Sequence, residues 1–272
     1  VMTRFFNNQK HLEFETLINK SFITKSQSLS EELYKIKNLS ISDKPVLIQG
    51  ETGTGKRVIA HLIKQVLKTD NFLELNCAQF SDEIFSSELF GHKKGSFTWA
   101  DSDKVGILER ANNGVGFLDE IHGLSIKSQK ALLKAIEEKE FYPVGSTNKV
   151  KANFRVICAS CDDIRDMIDL GTFRQDLFAR INTFSINIPA LKDRKEDINL
   201  LFEHFISKQL IKVVISADAK KVLKSYSWPE NTREIQDLVE NWVVHGKRLI
   251  TPEELPSHIR NNITKSSKLI TD

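Results

Sequence analysis

A glycine-rich segment that follows a short apolar run has the residue types needed to hold a phosphate. It comprises Gly50, Glu51, Thr52, Gly53, Thr54, Gly55 and Lys56, followed by Arg57. Small residues let backbone N–H groups wrap a β-phosphate, the dipole of a following helix favours the anion, and the lysine reaches the β- and γ-oxygens. Arg57 stands where a Ser or Thr usually contacts Mg²⁺, and it is counted among the residues expected to contact the nucleotide. The spacing predicts a nucleotide-binding loop between a strand and a helix.

An acidic pair provides the second requirement of a nucleotide-hydrolysing site. Asp119 and Glu120 directly follow the apolar run Val115–Leu118. At the end of a buried strand, Asp119 would hold Mg²⁺ through water, and Glu120 would orient the attacking water. Acidic pairs after apolar strands are common, so this pair indicates a nucleotide site only in combination with the glycine-rich loop. Together the two motifs predict an NTPase.

The elements that must position these motifs alternate between two types. The predicted strands are Pro45–Gln49, Phe72–Leu75, Val115–Leu118, Phe154–Ala159 and Phe184–Ile188. Helical periodicity between them, as in Ile126–Glu138, indicates a parallel, doubly wound α/β sheet. After about residue 189 the strand signals stop. The helices predicted there are Ile198–Ile211, Ala217–Ser225 and Thr232–Val244, which form a smaller all-helical part.

Composition bears on the class of protein and its cellular compartment but does not identify a ligand. The 272 residues carry a formal net charge of +3, so charge alone gives no case for nucleic-acid or membrane-surface binding. The sequence has no apolar run long enough to span a bilayer. Three cysteines cannot form a disulfide framework, and a reducing cytoplasm is expected. Cys158 and Cys161 have the Cys-x-x-Cys spacing, but their predicted strand favours one buried cysteine and one site cysteine over a metal or redox pair.

Several motifs in a fixed order resemble the AAA+ activators of sigma-54 RNA polymerase, the bacterial enhancer-binding proteins. The signature loop Gly95–Ala100 reads Gly-Ser-Phe-Thr-Trp-Ala, where the family has Gly-Ala-Phe-Thr-Gly-Ala. Further matching segments are Ser87–Lys94, Leu108–Ala111, Phe117–Ile121, Phe173–Leu177 and Trp228–Glu234. The resemblance implies a P-loop AAA+ α/β subdomain over residues 22–189 and a helical lid over 190–260. Residues 1–21 would be an N-terminal linker or segment, and residues 261–272 a C-terminal linker.

The resemblance also implies a role for individual residues, with ATP and Mg²⁺ as cofactors. Asn76 matches the asparagine that pairs with the catalytic glutamate. Arg174 and Arg180 match arginines presented to the γ-phosphate of the neighbouring subunit, and arginine supplied in trans is worth about 10³–10⁵ in rate. Arg233 matches the sensor arginine of the lid, and Ser160 keeps a hydroxyl at the first sensor position. Phe97, Thr98 and Trp99 would contact the partner.

The implied partners are the sigma-54 RNA polymerase holoenzyme and further copies of the chain in a ring, expected to be a hexamer. No basic recognition helix is evident in the sequence, so DNA binding is expected only through a domain outside this chain. No membrane partner is expected, and the bacterial cytoplasm is the expected location.

Departures from the family pattern leave alternatives open. Trp99 replaces glycine and Ser96 replaces alanine in the signature loop, so the ATPase could act on a different client. Cys161 replaces the asparagine of the first sensor and lacks its amide, so slower hydrolysis or altered coupling is expected. A nucleotide-dependent interaction module with little turnover is a third interpretation. Glu230 replaces a glycine before Arg233, and Pro143 replaces an arginine before Val144 in the second pore-facing loop.

Overall fold

The computed structural model describes residues 14–98 and 100–261. Within them the chain forms two compact units. The first contains residues 14–18, Glu32–Gly50 and Lys56–Ile188. The second contains Asn19–Glu31, Glu51–Gly55 and residues 189–261. The predicted linker at residues 261–272 and the first thirteen residues of the predicted N-terminal linker lie outside the described residues, apart from Asn261, and residues 14–21 are helical.

A five-stranded parallel sheet forms the centre of the first unit. Its strands are β1 (Val46–Gln49), β2 (Phe72–Asn76), β3 (Gly114–Asp119), β4 (Phe154–Ser160) and β5 (Phe184–Asn187). They lie in the order β2-β3-β4-β1-β5, and every neighbouring pair is parallel. All seven residues of β4 are buried, including the polar side chains of Arg155 and Ser160, as expected for a strand in the middle of a parallel sheet. In such sheets ligands bind beyond the carboxyl ends of the strands, next to a change in strand order.

Helices and short turns fill the connections between these strands. α1 (Gln27–Lys35) and a 3₁₀ turn at Ile36–Ile41 precede β1. The helices that follow are α2 (Lys56–Leu67), α3 (Asp82–Phe90), α4 (Ile107–Arg110), α5 (Ile126–Glu138), α6 (Ile164–Asp169) and α7 (Gln175–Ile181). The predicted α/β class and its parallel sheet are confirmed.

Two short antiparallel ladders in the first unit were not predicted. Gly91–His92 pairs with Lys104–Val105, and Glu140–Phe141 pairs with Val150–Lys151. Each strand has two residues, too few for an alternating pattern to be visible in the sequence.

The second unit packs four helices around an aromatic core. They are α8 (Asp197–Ser207), α9 (Ala217–Ser225), α10 (Asn231–Val244) and α11 (Ser257–Arg260). Phe202 stacks on Trp242 and meets Trp228 edge-on, with both pairs of ring centroids 5.6 Å apart. The prediction of an all-helical part was wrong in one detail, because Val214–Ile215 pairs in parallel with Leu249–Ile250. None of the described helices combines the length and apolar character needed to cross a membrane.

Candidate functional site

The acidic pair lies at the carboxyl end of β3. Asp119 is the last residue of the strand, and Glu120 leads into a 3₁₀ turn at Ile121–Gly123. The backbone N–H of Glu120 donates a 3.0 Å hydrogen bond to Oδ1 of Asp119. Glu120 has a left-handed conformation with φ 53°, which costs a non-glycine residue about 1–2 kcal/mol. Such strain is often found at functional sites.

Asp119 shares its electrostatic environment with the lysine of the glycine-rich loop. Burial raises the pKa of the Asp119 carboxyl, while the N–H of Glu120 and the charge of Lys56 oppose the rise. The Nζ of Lys56 donates a 2.7 Å hydrogen bond to the carbonyl oxygen of Gly50, whose own N–H donates to the carbonyl of Ser160. A half-buried carboxylate near the lysine predicted to bind phosphate is a donor set that suits Mg²⁺ bound to a nucleotide.

Arg57 has a structural partner in the first unit. Its Nη2 lies 2.7 Å from Oε2 of Glu74 on β2, and the same carboxylate contacts Nε2 of His61 at 3.2 Å. This pairing explains how an arginine is accommodated after the loop lysine. A contact between Arg57 and nucleotide stays a prediction.

The middle of the glycine-rich loop belongs to the second unit, where Asn231 holds it. Asn231 is fully buried, and its Nδ2 donates to the carbonyl of Thr52 at 2.9 Å and to Oε2 of Glu51 at 3.2 Å. Its Oδ1 accepts a 2.7 Å hydrogen bond from the N–H of Leu191. Lys192 and Asn231 lower the pKa of Glu51. The sequence interpretation gave Asn231 no role, although it lies in the same motif as Arg233.

Gly53 cannot be replaced without moving its neighbours. Its φ is +75°, and a Cβ there would lie 2.0 Å from the carbonyl oxygen of Glu230 and 3.1 Å from Cβ of Arg233. The N–H of Thr232 donates to the carbonyl of Gly53 at 3.1 Å. The Cβ of Arg233 therefore lies close to the glycine-rich loop, and the sensor role of this arginine stays a prediction. Glu230 has φ −98°, so its backbone does not need the glycine of the family pattern.

A second buried contact to the loop comes from Arg194, which sequence reasoning also missed. Its Nη2 donates to the carbonyl of Thr54 at 3.3 Å, and its Nη1 lies 3.4 Å from Oδ2 of Asp197. Asp197 also accepts hydrogen bonds from the Thr24 hydroxyl and the Lys25 N–H. An arginine and an aspartate three positions apart carry no signal in the sequence that the pair is buried.

Asn76 lies beside the acidic pair but has a capping contact. It is the register partner of Asp119 between β2 and β3. Its Oδ1 accepts a 2.9 Å hydrogen bond from the N–H of Ala78 and caps the 3₁₀ turn at Cys77–Gln79. Among the described residues, this side chain has no hydrogen bond to Glu120, and the pairing predicted for Asn76 with the catalytic glutamate stays a prediction.

The two predicted trans arginines lie at opposite ends of α7. Arg174 precedes the helix and forms two hydrogen bonds with Asp176, of 2.9 and 2.6 Å. Its backbone N–H donates to Oε1 of Gln129, a buried residue whose amide also donates to the carbonyls of Leu124 and Thr172. Arg180 lies in the last turn, and its buried Nε has no hydrogen-bond acceptor among the described residues.

The first sensor position lies at the end of β4. The hydroxyl of Ser160, which is fully buried, donates to the carbonyl of Asp162 at 2.8 Å. The Sγ of Cys161 lies 3.6 Å from Nε2 of His122. Cys161 and Gly50 line a cavity of about 460 Å³ beside the carboxyl ends of β1 and β4. Cys158, in contrast, is fully buried within β4, and burial raises the pKa of its thiol. The pair is thus one buried and one site cysteine.

Three contacts hold the signature loop and the residues directly before it. The N–H of Gly95 donates to the carbonyl of Ala100 at 2.8 Å, and that of Lys93 donates to the carbonyl of Val144 at 3.0 Å. The ring of Phe97 meets His92 edge-on with centroids 4.9 Å apart. Thr98 is exposed, and Trp99 lies outside the described residues.

These features together define a class of protein. A parallel sheet in this order, a phosphate loop after β1, an acidic pair after β3 and a helical second unit with an arginine against the loop are those of an AAA+ nucleotide-binding domain with its lid. Comparison with family models agrees. The model of the sigma-54 interaction domain matches residues 22–187, and that of the AAA+ ATPase lid domain matches residues 192–270. The chain belongs to the sigma-54 interaction domain family of AAA+ proteins, and the relationship predicted from its motifs is confirmed.

Curated relatives and solved structures extend the comparison. The regulatory protein AtoC of Escherichia coli (strain K12) is 37% identical over 257 residues, which is 92% of this chain and 56% of AtoC. The Nif-specific regulatory protein of Herbaspirillum seropedicae is 40% identical over 222 residues, 79% of this chain and 41% of that protein. The chain spans about half the length of these relatives. NtrX from Brucella abortus in complex with ATP has a TM-score of 0.78 and 29% identity, covering 88% of this chain and 55% of NtrX.

Proposed function

We propose that this chain is the ATP-hydrolysing motor of a sigma-54-dependent transcriptional activator. It acts as a homo-oligomeric ring, a hexamer, on the sigma-54 RNA polymerase holoenzyme. The observation that carries the proposal is the group formed by Lys56, Asp119 and Glu120 at the carboxyl ends of β1 and β3. DNA binding belongs to a domain outside this chain.

The chemistry follows from the residues of this group. The loop Gly50–Lys56 presents backbone N–H groups and the Lys56 ammonium to the phosphates of ATP. Asp119 would hold Mg²⁺ through water, and the bound ion would supply neutralisation of the charge on the phosphate oxygens. Glu120, fixed by the strained turn after β3, orients the water that attacks the γ-phosphate. Arg233 senses the nucleotide from the lid.

Arg174 and Arg180 complete the site of the neighbouring subunit. Gln129 supports this role for Arg174, because one buried amide fixes the backbone on both sides of Phe173. The ion pair with Asp176 is exposed, and exposed pairs contribute about 0–1 kcal/mol, so Arg174 can exchange this carboxylate for a phosphate at little cost.

The signature loop carries the contact with sigma-54 through Phe97, Thr98 and Trp99. Its base is tied to His92 and Val144, and ATP binding would release or order the tip around these fixed points. The amide that Cys161 lacks would slow hydrolysis without removing it, so Cys161→Asn is expected to raise single-turnover rates.

Mixing two inactive variants tests hydrolysis in a ring. Glu120→Gln keeps the arginines, and Arg174→Ala keeps its own loop and acidic pair. If arginine acts in trans, a 1:1 mixture regains activity at about one quarter of head-to-tail interfaces. Specific activity of the wild type should also rise steeply with protein concentration. A mixture as inactive as its components would refute action in trans, and negligible wild-type turnover with intact ATP binding would favour an interaction module.

A pull-down of sigma-54 in the presence of ATP and of a transition-state analogue tests the client. Capture by the wild type and its loss in Thr98→Ala, with unchanged ATPase activity, is the expected result. Active ATPase that never captures sigma-54 would assign the motor to a different client.

A further inference from the structure

Three metal-ligating side chains meet where β4 ends beside the turn that follows Glu120. The Sγ of Cys161 lies 3.6 Å from Nε2 of His122 and 3.6 Å from Oδ1 of Asp162. One ligand atom from each of the three residues lies within 4.8 Å of the other two. Within residues 14–98 and 100–261, no other group of three His, Cys, Asp or Glu side chains meets this criterion.

Two of the three distances between the ligand atoms match a tetrahedral zinc site. Bonds of about 2.3 Å to sulfur and about 2.0–2.2 Å to nitrogen or oxygen, at the tetrahedral angle, separate sulfur from either atom by roughly 3.6 Å. Both distances measured from the sulfur have this value. The third distance is that between the ligand atoms of His122 and Asp162. Asp162 is exposed, so its side chain can rotate to shorten this distance.

The surroundings suit a bound cation as well. The hydroxyl of Ser160 lies 3.4 Å from Nδ1 of His122, so a hydroxyl faces the ring nitrogen that a cation at Nε2 leaves free. Cys161 and Asp162 line the cavity at the carboxyl ends of β1 and β4, which provides an entry path. Three protein ligands leave the fourth position to water.

We propose that His122, Cys161 and Asp162 form a binding site for a thiophilic divalent cation of the zinc class. The thiol of Cys161 releases its proton to solvent on binding, and the thiolate and imidazole select such an ion over Mg²⁺ and Ca²⁺. The bound ion links the turn after Glu120 to the end of β4. The proposed ligands do not include Asp119, and the existence of this site does not depend on ATP hydrolysis.

Cobalt is the probe, because a cobalt–thiolate bond has a charge-transfer absorption that oxygen and nitrogen ligands do not produce. The whole chain, reduced and in excess Mg²⁺ without nucleotide, is titrated with Co²⁺ and then with Zn²⁺. We expect one Co²⁺ per chain, a thiolate band, and displacement by one equivalent of Zn²⁺. Cys77 and Cys158 should not contribute, because burial raises the pKa of both thiols.

Matched variants decide whether the three side chains act together. Cys161→Ser should abolish the band, and His122→Gln and Asp162→Asn should each weaken zinc binding at least tenfold. Asp163→Asn is the control, because Asp163 lies next in the chain and caps the N–H of Arg165, which asparagine also does. Zinc should raise the melting temperature of the wild type and of Asp163→Asn. A cobalt spectrum without the band, or unchanged zinc affinity in His122→Gln and Asp162→Asn, would overturn the proposal.

Discussion

Replacing Asn231 by alanine should destabilise the second unit and weaken ATP binding. The side chain makes two hydrogen bonds to backbone groups on separate segments, the N–H of Leu191 and the carbonyl of Thr52. Its backbone also has φ 55°, a left-handed conformation that asparagine tolerates better than alanine. One residue thus supports the glycine-rich loop through hydrogen bonds and through its own turn.

The expected magnitude follows from these contacts. The N–H of Leu191 is fully enclosed, and an unsatisfied buried donor costs about 1–3 kcal/mol. Thr52 is exposed, so water partly replaces its lost partner and the net loss is about 0.5–1.5 kcal/mol. The left-handed backbone adds about 1–2 kcal/mol for alanine. We expect the free energy of unfolding of the second unit to fall by about 2.5–6.5 kcal/mol.

Two further variants distinguish the effect of the lost hydrogen bonds from that of the left-handed backbone. Asn231→Gly removes the hydrogen bonds but accepts the backbone, so it should lose about 1 kcal/mol less than Asn231→Ala. Asn231→Asp keeps the acceptor for Leu191 but places a carboxylate against Glu51, so ATP affinity should fall even where the unit stays folded. Urea unfolding followed by tryptophan fluorescence reports on this unit, because Trp228 and Trp242 lie in its core. Unfolding free energies of the alanine and glycine variants within about 0.5 kcal/mol of wild type would refute the reasoning.

Three more predictions concern the first unit and the loop. Gly53→Ala should weaken ATP binding at least tenfold, measured by titration calorimetry, because its Cβ would collide with the carbonyl of Glu230. Asp119→Asn should raise the melting temperature at neutral pH without Mg²⁺. Burial raises the pKa of Asp119 above its ordinary value of 3.8. Its contribution to folding stability is therefore fully present below pH 3.8 and is lost as the pH rises through the raised pKa. A melting temperature that falls in Asp119→Asn would contradict this sign. Gln129→Leu should reduce turnover but leave ATP affinity unchanged, since it frees the backbone of Arg174.

The first unit was largely predictable because its signals are local. α5 begins and ends at the residues predicted, Ile126 and Glu138, since its apolar residues recur at helical spacing and Ser125 caps its first turn. The chemistry-bearing residues follow strands whose apolar runs are unambiguous. Asp119 therefore lies at a strand end in the structure as in the prediction.

The contacts that hold the glycine-rich loop were not predictable, because their partners are far apart in the chain. Asn231 and Thr52 are 179 positions apart, and Arg194 and Thr54 are 140. The residue types of Asn231 and Arg194 favour the surface on average, yet both are buried. Hydrophobic periodicity indicates which face of a segment packs against the core. It does not indicate which distant carbonyl a buried side-chain amide will hydrogen-bond.

The structure divides the departures from the family pattern into two kinds: those that the backbone accommodates without the family residue, and one that creates a new side-chain contact. Glu230 has negative φ, so the family glycine is dispensable there, and Val144 pairs with Gly91 and Lys93 through its backbone whether or not an arginine precedes it. Cys161 differs, because its sulfur contacts His122, a side chain contributed by the turn after the acidic pair. Taken alone, Cys161 is the loss of an amide at the first sensor. With His122 beside it, Cys161 also supplies one of the three ligand atoms of the proposed cation site. Variants of Cys161 and His122 are therefore best tested together.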